Sequence, residues 1–488
     1  MTAVRLSDLV QRDLAVDPEI SGVTADSRKV KPGYLFAALP GAKADGKAFA
    51  NQAIASGAAA VLSAVDIPGL AAPLVRASDP RRAYALAAAA FWGRQPEVCV
   101  AVTGTNGKTS VATFCRQIFA AAGHGSASMG TLGVRTSGLA GGDEQITEPG
   151  LTTPDAADVA EVLAGLADRG VTHLALEASS HGVDQRRLDG VKLTAAGFLN
   201  LTQDHLDYHG TMGAYRAAKL RLFETLLPRG ATAVLNADSD AFPAFAAAAV
   251  TSGHTLMSVG AMGQGITLTE RLLLPEGQRL KIAAWGEAYD VRLPLAGAFQ
   301  ASNALVAAGL CVAAGEHPDT VFAALEHIEG APGRLQRVAT GPRGGEAYVD
   351  FAHTPDGLAT VLQALRPHAK GRLIVVFGAG GDRDRGKRPI MGAIAADLAD
   401  IAIVTDDNPR SEDPAAIRAD ILAGASGLRE IAGRREAIVA AAGLLEAGDV
   451  LVVAGKGHEQ GIEIMGVKHP FDDVVETRRA LGLEAANG

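Results

Sequence analysis

The chain has 488 residues, and 45 lysines and arginines against 54 aspartates and glutamates give it a formal net charge of −9. This length predicts about three domains, and the negative balance argues against a protein that binds nucleic acid through bulk positive charge. No run reaches the ~20 consecutive apolar residues of a membrane helix, and the charged residues within Met1–Val16 argue against a signal peptide. The three cysteines are odd in number and far apart, which excludes a disulfide framework and predicts a reducing cytoplasm.

The first part of the chain predicts short strands and helices that end in an alanine-rich helix, Pro80–Trp92. A new unit begins with the apolar strand Val98–Thr103, which a glycine-rich turn and the helical pattern Thr109–Ala122 follow. The segment Thr136–Pro149 is rich in Gly, Thr and Glu and predicts a surface loop. Further apolar runs predict buried strands at Thr172–Leu176, Gly197–Leu201 and Thr232–Leu235.

A third unit is predicted to start near Gly330–Gly333, because strands and helices alternate cleanly after it. Such alternation is typical of parallel βαβ units with both faces of the sheet covered. The predicted strands are Ala347–Phe351, Leu373–Phe377, Ile401–Thr405 and Val450–Val453, and the predicted helices include Pro355–Leu365 and Pro414–Ala423. Ligands bind beyond the carboxyl ends of such strands. Polar clusters stand at those ends here, namely His353 and residues 380–383, 406–410 and 455–459.

The sharpest motif is Thr103–Ser110, which follows the predicted strand directly and opens the predicted helix. A bound phosphate needs backbone N–H groups that approach closely, a cation and the positive end of a helix, and the glycines, Lys108 and the helix N-terminus supply them. The Thr109 hydroxyl is positioned to hold a magnesium ion. The motif departs from the usual phosphate loop because Val102 stands where its first glycine belongs. The alternative is an ordinary glycine-rich turn between a strand and a helix.

With several later motifs, this loop resembles the Mur ligase family of ATP-dependent amide ligases, which extend the peptidoglycan stem peptide on a UDP-sugar. The resemblance covers essentially the whole chain. Its other motifs are Glu177–Gly182, Asn200–His209, Ala217–Lys219, Gly297–Asn303, Gly333–Arg334, Asp350–Asp356 and Gly455–Glu459. The resemblance implies an α/β fold of three domains, with a central parallel-sheet domain like those of P-loop ATPases and a C-terminal Rossmann-like domain. The expected domains are 1–96 for the UDP-MurNAc moiety, 97–331 for ATP and 332–488 for the incoming amino acid.

The resemblance implies that ATP binds to the phosphate loop and to residues from later in the chain. The expected ATP-binding residues are Gly104, Thr105, Asn106, Gly107, Lys108, Thr109, Ser110, Asn303, Arg334, Asp350 and His353. Without the family, Asn303 would be a polar residue in an alanine-rich helix, and Arg334 a surface charge near a hinge.

Two magnesium sites are expected beside the phosphate loop. Glu177 ends one predicted strand and His205 follows another, so both side chains can converge there, and a carboxylate with an imidazole suits a second Mg²⁺. The expected metal ligands are Thr109, Glu177 and His205. In isolation His205 would more often be a hydrogen-bonded structural histidine. The family also implies that Lys219 is carbamylated and acts with Lys108 and His205 in catalysis, although its helical segment alone indicates only a surface lysine.

The UDP-sugar peptide is expected to bind through hydroxyl and amide donors and a guanidinium, which suit a diphosphate and carboxylates. The matching positions are Ser27, Thr152, Thr153, Ser179, Gln185 and Arg187. Residues 41–46 match the family's loop on the uridine side. A turn cap is the simpler interpretation of Asp26–Arg28 when it is taken alone.

The tetrapeptide Asp407–Arg410 resembles the signature of family members that add meso-2,6-diaminopimelate, whereas lysine-adding members lack its arginine. Diaminopimelate carries a carboxylate on the distal carbon where lysine has only an ammonium, and a guanidinium can clamp that carboxylate with two parallel hydrogen bonds. The expected contacts to this amino acid are Arg383, Asp407, Asn408, Pro409, Arg410, Gly455 and Glu459. The alternative is that Asn408-Pro409 is a turn at a strand end and that Arg410 is a solvated charge.

These observations predict an ADP-forming, ATP-dependent ligase that joins meso-diaminopimelate to the D-Glu side-chain carboxylate of UDP-MurNAc-L-Ala-D-Glu through an acyl phosphate. The base that deprotonates the amine stays open, with His205 and bulk water as candidates. We expect a cytoplasmic monomer that binds neither nucleic acid nor membrane. Addition of L-lysine is the first alternative, followed by addition of D-Ala-D-Ala and glutamylation of folate.

Three other classes share some of these features. A P-loop kinase or NTPase would share Thr103–Ser110 but would not need ligand-facing strand ends in a separate C-terminal unit. A nicotinamide-dependent dehydrogenase is disfavoured because Arg383 stands where a third glycine would follow Gly378 and Gly380. A non-catalytic protein of the same fold would tolerate the loss of Lys108, Glu177 or Lys219, and all three are present.

Overall fold

The structure is a computed structural model that describes residues 3–41, 45–274 and 277–483. The chain divides into two compact units. The first comprises the chain up to Thr267 and the segment Leu305–Ala324, and the second comprises Leu268–Ala304 and the chain from Leu325 onward. Part of the loop expected on the uridine side, residues 42–44, lies outside the described residues.

The first unit opens with a small parallel sheet and one long helix. Its elements are β1 (Val4–Arg5), α1 (Leu6–Val10), β2 (Glu19–Ile20), β3 (Gly22–Thr24), β4 (Tyr34–Ala37), α2 (Ala50–Ala55), β5 (Ala60–Ser63), β6 (Leu74–Arg76) and α3 (Pro80–Trp92). Strands β3 to β6 pair in parallel and in chain order. Helix α3 has the predicted bounds because the Asp79 carboxylate accepts a hydrogen bond from the Arg82 amide at its start and Gly93 ends it in the left-handed conformation.

A larger sheet forms the rest of the first unit. The elements are β7 (Val98–Thr103), α4 (Lys108–Ala121), β8 (Ser126–Gly130), β9 (Gly133–Ser137), β10 (Glu144–Thr147), α5 (Ala156–Asp168), β11 (His173–Glu177), α6 (Ser180–Asp184), β12 (Ala195–Phe198), α7 (Leu206–His209), α8 (Met212–Arg221), β13 (Thr232–Asn236), α9 (Phe242–Thr251), β14 (Thr255–Gly260) and β15 (Ile266–Leu274). The strand order is β10-β9-β8-β11-β7-β12-β13-β14-β15, and β15 continues into the second unit. Strand β7 pairs in parallel with β11 and β12, so all three end at one edge of the sheet.

The second unit contains a hairpin and a Rossmann-like sheet. The hairpin strands are β16 (Gly277–Ala284) and β17 (Glu287–Leu293); α10 (Ala298–Ala313) then runs into the first unit, where α11 (Pro318–Ala324) lies. The remaining elements are β18 (Gln336–Thr340), β19 (Glu346–Asp350), α12 (Pro355–Leu365), β20 (Leu373–Phe377), α13 (Lys387–Leu398), β21 (Ile401–Val404), α14 (Pro414–Leu422), β22 (Arg429–Glu430), α15 (Arg434–Leu444), β23 (Val450–Ala454), β24 (Ile462–Ile464), β25 (Val467–His469) and α16 (Asp473–Ala480).

The sheet of the second unit has the order β18-β19-β23-β20-β21-β22, and only its pair β18–β19 is antiparallel. Alternate residues of β20 enter different cores. Leu373, Val375 and Phe377 pack in one apolar cluster, whereas Ile374 and Val376 pack in the other. A strand that is buried on both faces reads as a continuous apolar run, which is why the sequence predicts its bounds correctly.

The predicted α/β architecture with a parallel central sheet is confirmed, but two local predictions are wrong. The segment predicted as a surface loop contains β10, whose residues pair antiparallel with β9. Strand β12 ends at Phe198 rather than at Leu201, because Asn200 turns away to bond the phosphate loop. No described helix combines the length and the apolar character that a membrane crossing requires.

Candidate functional site

The phosphate-loop motif forms a tight turn between β7 and α4. Gly107 has a φ of 89° immediately before α4, a conformation that glycine adopts without strain. A Cβ atom at Gly104 would lie 2.9 Å from the Leu199 Cβ, so only glycine lets the loop approach the end of β12. The side chain of Asn200 accepts a hydrogen bond from the Asn106 amide at 2.9 Å and thereby clamps the turn.

Two lysines converge on one carbonyl of this loop. Lys108 Nζ donates to Gly104 O at 2.8 Å and to Thr105 O at 2.9 Å, while Lys219 Nζ donates to Gly104 O at 2.8 Å. Lys219 is only 1% exposed, and its Nζ lies 4.6 Å from the centroid of the Tyr215 ring. Burial, together with nearby Lys108, holds the pKa of Lys219 well below its usual range. Lys219 is therefore not the surface lysine that its helical segment alone indicates.

A buried carboxylate lies beside the first turn of α4. Glu177 Oε2 accepts a hydrogen bond from Thr109 Oγ1 at 3.1 Å, and its Oε1 accepts one from the Thr131 amide at 2.9 Å. Glu177 is 3% exposed. A Cβ atom on Gly130 would lie 2.0 Å from Glu177 Oε1, so the glycine makes room for the carboxylate. The hydroxyl and the carboxylate are hard oxygen donors of the kind Mg²⁺ prefers, so the structure brings two of the three expected metal ligands together.

The third expected metal ligand, His205, lies in a group of aromatic side chains. It has a φ of 52°, and its side chain is 46% exposed with Nε2 3.4 Å from Asp204 Oδ2. Its ring centroid lies 4.9 Å from that of His181 and 6.2 Å from that of Tyr215. Burial and the neighbouring His205 lower the pKa of His181. The group is joined to the phosphate loop through Tyr215, whose hydroxyl lies 3.2 Å from Thr105 Oγ1.

Most residues expected to hold the UDP-sugar peptide form one hydrogen-bonded network. Thr153 Oγ1 donates to Glu177 O at 2.9 Å and lies 2.9 Å from Ser179 Oγ. Arg187 donates to Thr153 O at 2.6 Å and to Gln185 Oε1 at 2.8 Å. The expected peptide side of the site is thus built directly onto the strand that carries the buried carboxylate.

The two other members of that expected set are arranged differently. Thr152 Oγ1 lies 3.0 Å from Thr131 Oγ1, and Thr131 in turn contacts Glu177. Ser27 opens a short 3₁₀ turn in the N-terminal sheet region, where the Asp26 carboxylate accepts a hydrogen bond from the Arg28 amide at 3.0 Å. The cap that the local sequence indicates is therefore present.

In the second unit, three motifs meet at the carboxyl ends of β19 and β23. The Phe351 amide donates to Gly333 O at 2.9 Å, and the Asp350 carboxylate accepts hydrogen bonds from the Leu335 and Ala352 amides at 2.6 and 2.8 Å. A Cβ atom on Gly457 would lie 2.8 Å from Gly333 O. Burial raises the pKa of Asp350 to about 6.

The remaining expected ATP residues of the second unit flank this junction. The guanidinium carbon of Arg334 lies 4.6 Å from the centroid of the Phe351 ring. His353 is exposed, and its ring centroid lies 4.5 Å from that of Phe351. Asn303 lies within α10, is 3% exposed and donates to Gln300 Oε1 at 3.0 Å. It is thus a polar residue of an alanine-rich helix, as its local sequence indicates.

The segments after β21 and β23 are joined by a buried lysine. Lys456 Nζ donates to Asn408 Oδ1 at 2.9 Å and to Glu459 Oε2 at 3.1 Å, and it lies 3.7 Å from Asp407 Oδ1. Its side chain is 0% exposed. Gly455 permits this approach, since a Cβ atom there would lie 2.5 Å from Asp407 Oδ2. Lys456 lies within the motif Gly455–Glu459, but the sequence alone assigns it no role.

Arg410 is held from two sides. Its Nη1 donates to Gly381 O at 2.7 Å, and its Nε donates to Glu463 Oε2 at 3.2 Å. Its backbone, at a φ of 52°, bonds the hairpin β24–β25 through Glu463 O at 3.0 Å and the Met465 amide at 2.8 Å. Arg410 is thus a positioned side chain and not a freely solvated charge. Of the other residues expected here, Arg383 is exposed and Pro409 is buried.

A buried ion pair that sequence reasoning missed braces the same strand ends. Arg434 and Asp473, both 0% exposed, share two hydrogen bonds of 2.7 and 2.6 Å. Arg434 also donates to Ala454 O at 2.9 Å and to Asp406 O at 3.4 Å. Removing one partner of such a pair leaves an uncompensated buried charge, which costs ~3–5 kcal/mol. No local sequence signal distinguishes Arg434 from a surface charge.

Comparison with known proteins identifies the same architecture. Models described as "Mur ligase family, catalytic domain", "Mur ligase middle domain" and "Mur ligase, glutamate ligase domain" match residues 19–92, 102–311 and 333–457. The chain is 70% identical over 483 residues to a Caulobacter vibrioides protein named UDP-N-acetylmuramoyl-L-alanyl-D-glutamate–2,6-diaminopimelate ligase, with 99% of each chain covered.

Solved structures agree with this match. A structure of a protein with the same name is 35% identical and covers 99% of both chains with a TM-score of 0.76. The MurF ligase of Thermotoga maritima, solved in complex with ADP, is 18% identical, covers 94% of this chain and 96% of its own, and shares the fold with a TM-score of 0.61. The resemblance expected from the motifs is confirmed. The chain belongs to the Mur ligase family.

Proposed function

We propose that this chain is an ATP-dependent ligase that joins meso-2,6-diaminopimelate to the D-Glu side-chain carboxylate of UDP-MurNAc-L-Ala-D-Glu. The observation that carries the proposal is the arrangement of Asp407–Arg410 with Lys456 and Glu459 at one edge of the C-terminal sheet. The 70% identity to a relative named for this reaction supports it, and that name does not favour the alternative addition of L-lysine.

The first step transfers the γ-phosphoryl group of ATP to the D-Glu carboxylate, which gives an acyl phosphate and ADP. Phosphoryl transfer depends mainly on positioning and on neutralising charge. Lys108 supplies a cation beside the loop amides, and the N-terminus of α4 adds a positive dipole. Thr153, Ser179 and Arg187 orient the acceptor peptide, because they offer hydroxyls and a guanidinium that are already held in one network.

Magnesium fits the donor set at the phosphate loop. When bound there, Mg²⁺ neutralises charge on the transferring phosphoryl group. Thr109 and Glu177 would hold one ion because their oxygens are hard donors that already lie 3.1 Å apart. His205, whose side chain is 46% exposed, would contribute an imidazole nitrogen to a second site.

Lys219 is suited to carbamylation. Its buried amine, with a depressed pKa, presents the neutral form that attacks carbon dioxide; the new N–C bond gives a carbamate, and one proton leaves to solvent. The product is an anion next to Lys108, so carbamylation adds an electrostatic attraction between the two side chains. We assign this carbamate the role of fixing the loop geometry.

In the second step the amine of diaminopimelate attacks the acyl phosphate, and the tetrahedral intermediate collapses to the amide and phosphate. Arg410 binds the distal carboxylate of the substrate, and Glu459 and Asp407 accept hydrogen bonds from its distal ammonium. The base that removes the amine proton is either His205 or bulk water. A site built for the second carboxylate disfavours lysine, because lysine offers Arg410 no carboxylate to exchange for its contact with Glu463.

The proposal includes three domains. Residues 1–96 bind the UDP-sugar, residues 97–331 bind ATP and residues 332–488 bind the amino acid. Asn303, Arg334, Asp350 and His353 contact the nucleotide. The proposed enzyme acts as a monomer in the cytoplasm, where its three free cysteines stay reduced.

The test is ATP-dependent phosphate release by the purified chain with UDP-MurNAc-L-Ala-D-Glu and one of three amino components. We expect release with diaminopimelate and little with L-lysine or D-Ala-D-Ala. Mass analysis of the product separates ligation from idle ATP hydrolysis. Release with lysine alone would overturn the proposed specificity, and the absence of a new amide with any component would overturn the proposed reaction.

A further inference from the structure

Two histidines and a glutamate form a cluster at the amino ends of the strands in the first unit. His124 follows α4, His173 opens β11, and Glu316 lies between α10 and α11. Helix α4 has 14 residues and is therefore about 21 Å long. The phosphate loop lies at its start and His124 beyond its end, so the cluster is separate from the nucleotide site.

Two of the separations between ligand atoms of the cluster are close to those of a tetrahedral metal site. Glu316 Oε1 lies 2.9 Å from His124 Nε2 and 3.6 Å from His173 Nε2, and the three atoms lie within 4.8 Å of one another. Two ligands of a tetrahedral ion with bonds of ~2.0–2.1 Å stand about 3.3 Å apart. The two observed distances fall on either side of that value.

Within the described residues, the carboxylate of this cluster forms ion pairs with histidines and not with a lysine or arginine. Its side chain is 11% exposed, and its ion-pair partners in the described part of the chain are the two histidines. A mostly buried carboxylate is costly unless it is paired or coordinates a metal ion.

The surroundings of His173 orient its ring as a ligand. Thr172 Oγ1 lies 2.9 Å from His173 Nδ1, so a hydrogen bond there leaves Nε2 directed at Glu316, as the outer contacts of metal-binding histidines do. The Phe119 ring supports it at a centroid distance of 4.8 Å. His124 stacks on His173 at 3.8 Å and is 35% exposed, so it can turn about its Cβ–Cγ bond to admit an ion from solvent.

We propose that His124, His173 and Glu316 bind one divalent transition-metal ion of the Zn²⁺ type, with water as the fourth ligand. Two imidazoles and one carboxylate favour such an ion over Mg²⁺, which prefers oxygen ligands alone. The bound ion fastens the end of α4 and the start of β11 to the segment between α10 and α11. It acts on the stability of the first unit and takes no part in the ligation.

The test is a titration of the full chain with Co²⁺, the spectroscopic substitute for Zn²⁺, with Mg²⁺ and ADP in excess to fill the nucleotide site. We expect one equivalent of Co²⁺ to bind and to give the visible absorption of a tetrahedral nitrogen–oxygen site. His124→Ala and Glu316→Gln should each weaken binding by at least ~10-fold. His317→Ala is the matched control, because His317 neighbours Glu316 but its side chain is 72% exposed and lies 3.6 Å from Asp319.

A second measurement separates lost binding from lost folding. Zn²⁺ should raise the thermal midpoint of the wild-type chain and of His317→Ala, because a ligand that binds the folded state stabilises it. It should leave the midpoint of Glu316→Gln unchanged. Without metal, that variant should have the same thermal midpoint as the metal-free wild type. An absence of saturable Co²⁺ binding, or equal binding by wild type and both ligand variants, would overturn the proposal.

Discussion

The two candidate binding edges of the molecule hold their charged groups in opposite ways. At the phosphate loop, Lys108 donates to the backbone carbonyls of Gly104 and Thr105, so backbone dipoles orient this cation. At the C-terminal edge, Lys456 faces Glu459, and Arg410 faces Glu463, so carboxylates of the chain already neutralise the cations. The first edge is suited to a polyanion. The second edge is suited to a zwitterion, whose charged groups can replace the chain's own partners in these ion pairs.

This comparison predicts the largest loss at the phosphate loop. Lys108→Met should lower kcat by about 100- to 1,000-fold, because no other group replaces a cation aimed at developing charge. Lys192→Met, at an exposed lysine, should have no effect. Steady-state phosphate release measures both. A loss below ten-fold would show that the loop amides and the helix end carry the step without the cation.

Lys219 gives a second prediction for the phosphate loop, because its carbamylation should depend on pH. Since burial lowers its pKa, the reactive neutral amine persists to lower pH than that of an ordinary lysine and is lost as the pH falls through the depressed pKa. Native mass spectra should therefore show a carbon dioxide adduct at pH 8 that disappears on acidification.

Removal of bicarbonate should lower the activity of the wild-type chain, and its return should restore it. Lys219→Ala should show neither the adduct nor a response to bicarbonate. An adduct that persists in Lys219→Ala would assign it to another amine.

At the C-terminal edge we expect a substitution to change the affinity for diaminopimelate and not the rate of the chemical step. Arg410→Ala should raise KM for diaminopimelate by roughly 100-fold, or about 3 kcal/mol, since it removes charge-assisted hydrogen bonds to a carboxylate. KM for ATP should stay within about two- to three-fold of the wild-type value. Arg429→Ala, at an exposed arginine near the same edge, is the control. Equal increases in both KM values would contradict the clamp.

Lys456 tests whether the network positions the site without touching substrate. Lys456→Met keeps the length of the side chain but leaves Glu459 and Asn408 without their shared donor. We expect KM for diaminopimelate to rise by about ten-fold while kcat at saturation changes little, in keeping with the ~1–3 kcal/mol cost of a lost buried hydrogen-bond partner. A proportional fall in kcat with an unchanged KM would mean that Lys456 acts on the reaction itself.

The smallest expected effect concerns Glu463. Glu463→Gln keeps a hydrogen-bond acceptor beside Arg410 but removes the charge that competes with the substrate carboxylate. KM for diaminopimelate should fall by about two- to five-fold, the range of a partly exposed ion pair. Glu446→Gln, which removes a surface carboxylate paired with Arg372, should leave KM unchanged. A rise in KM would show that Glu463 orients Arg410 more than it competes.

Sequence reasoning predicted those elements whose signals are local. Strand β7 and helix α12 have the predicted bounds because an unbroken apolar run marks the strand, and Thr354 with Pro355 marks the start of the helix. The phosphate loop was equally recognisable, since its glycines and Lys108 stand next to each other in the sequence.

The features that sequence reasoning missed depend on partners distant in the chain. Strand β10 has little apolar character of its own and is defined by its pairing with β9. Lys219 is buried against a loop 115 residues earlier, where the Gly104 carbonyl accepts its hydrogen bond. The pair Arg434–Asp473 joins residues 39 positions apart, and neither residue is unusual in its own segment.

The alternation of β20 between two apolar cores has a consequence for how this sheet can change over generations. Deleting or inserting one residue inside such a strand would exchange its two faces and disrupt both cores at once. Length changes are tolerated beyond the ends of the buried strands of this sheet. The segments that follow two of those strands, β21 and β23, carry Arg410, Lys456 and Glu459. The scaffold can therefore stay constant while the groups that choose a substrate vary.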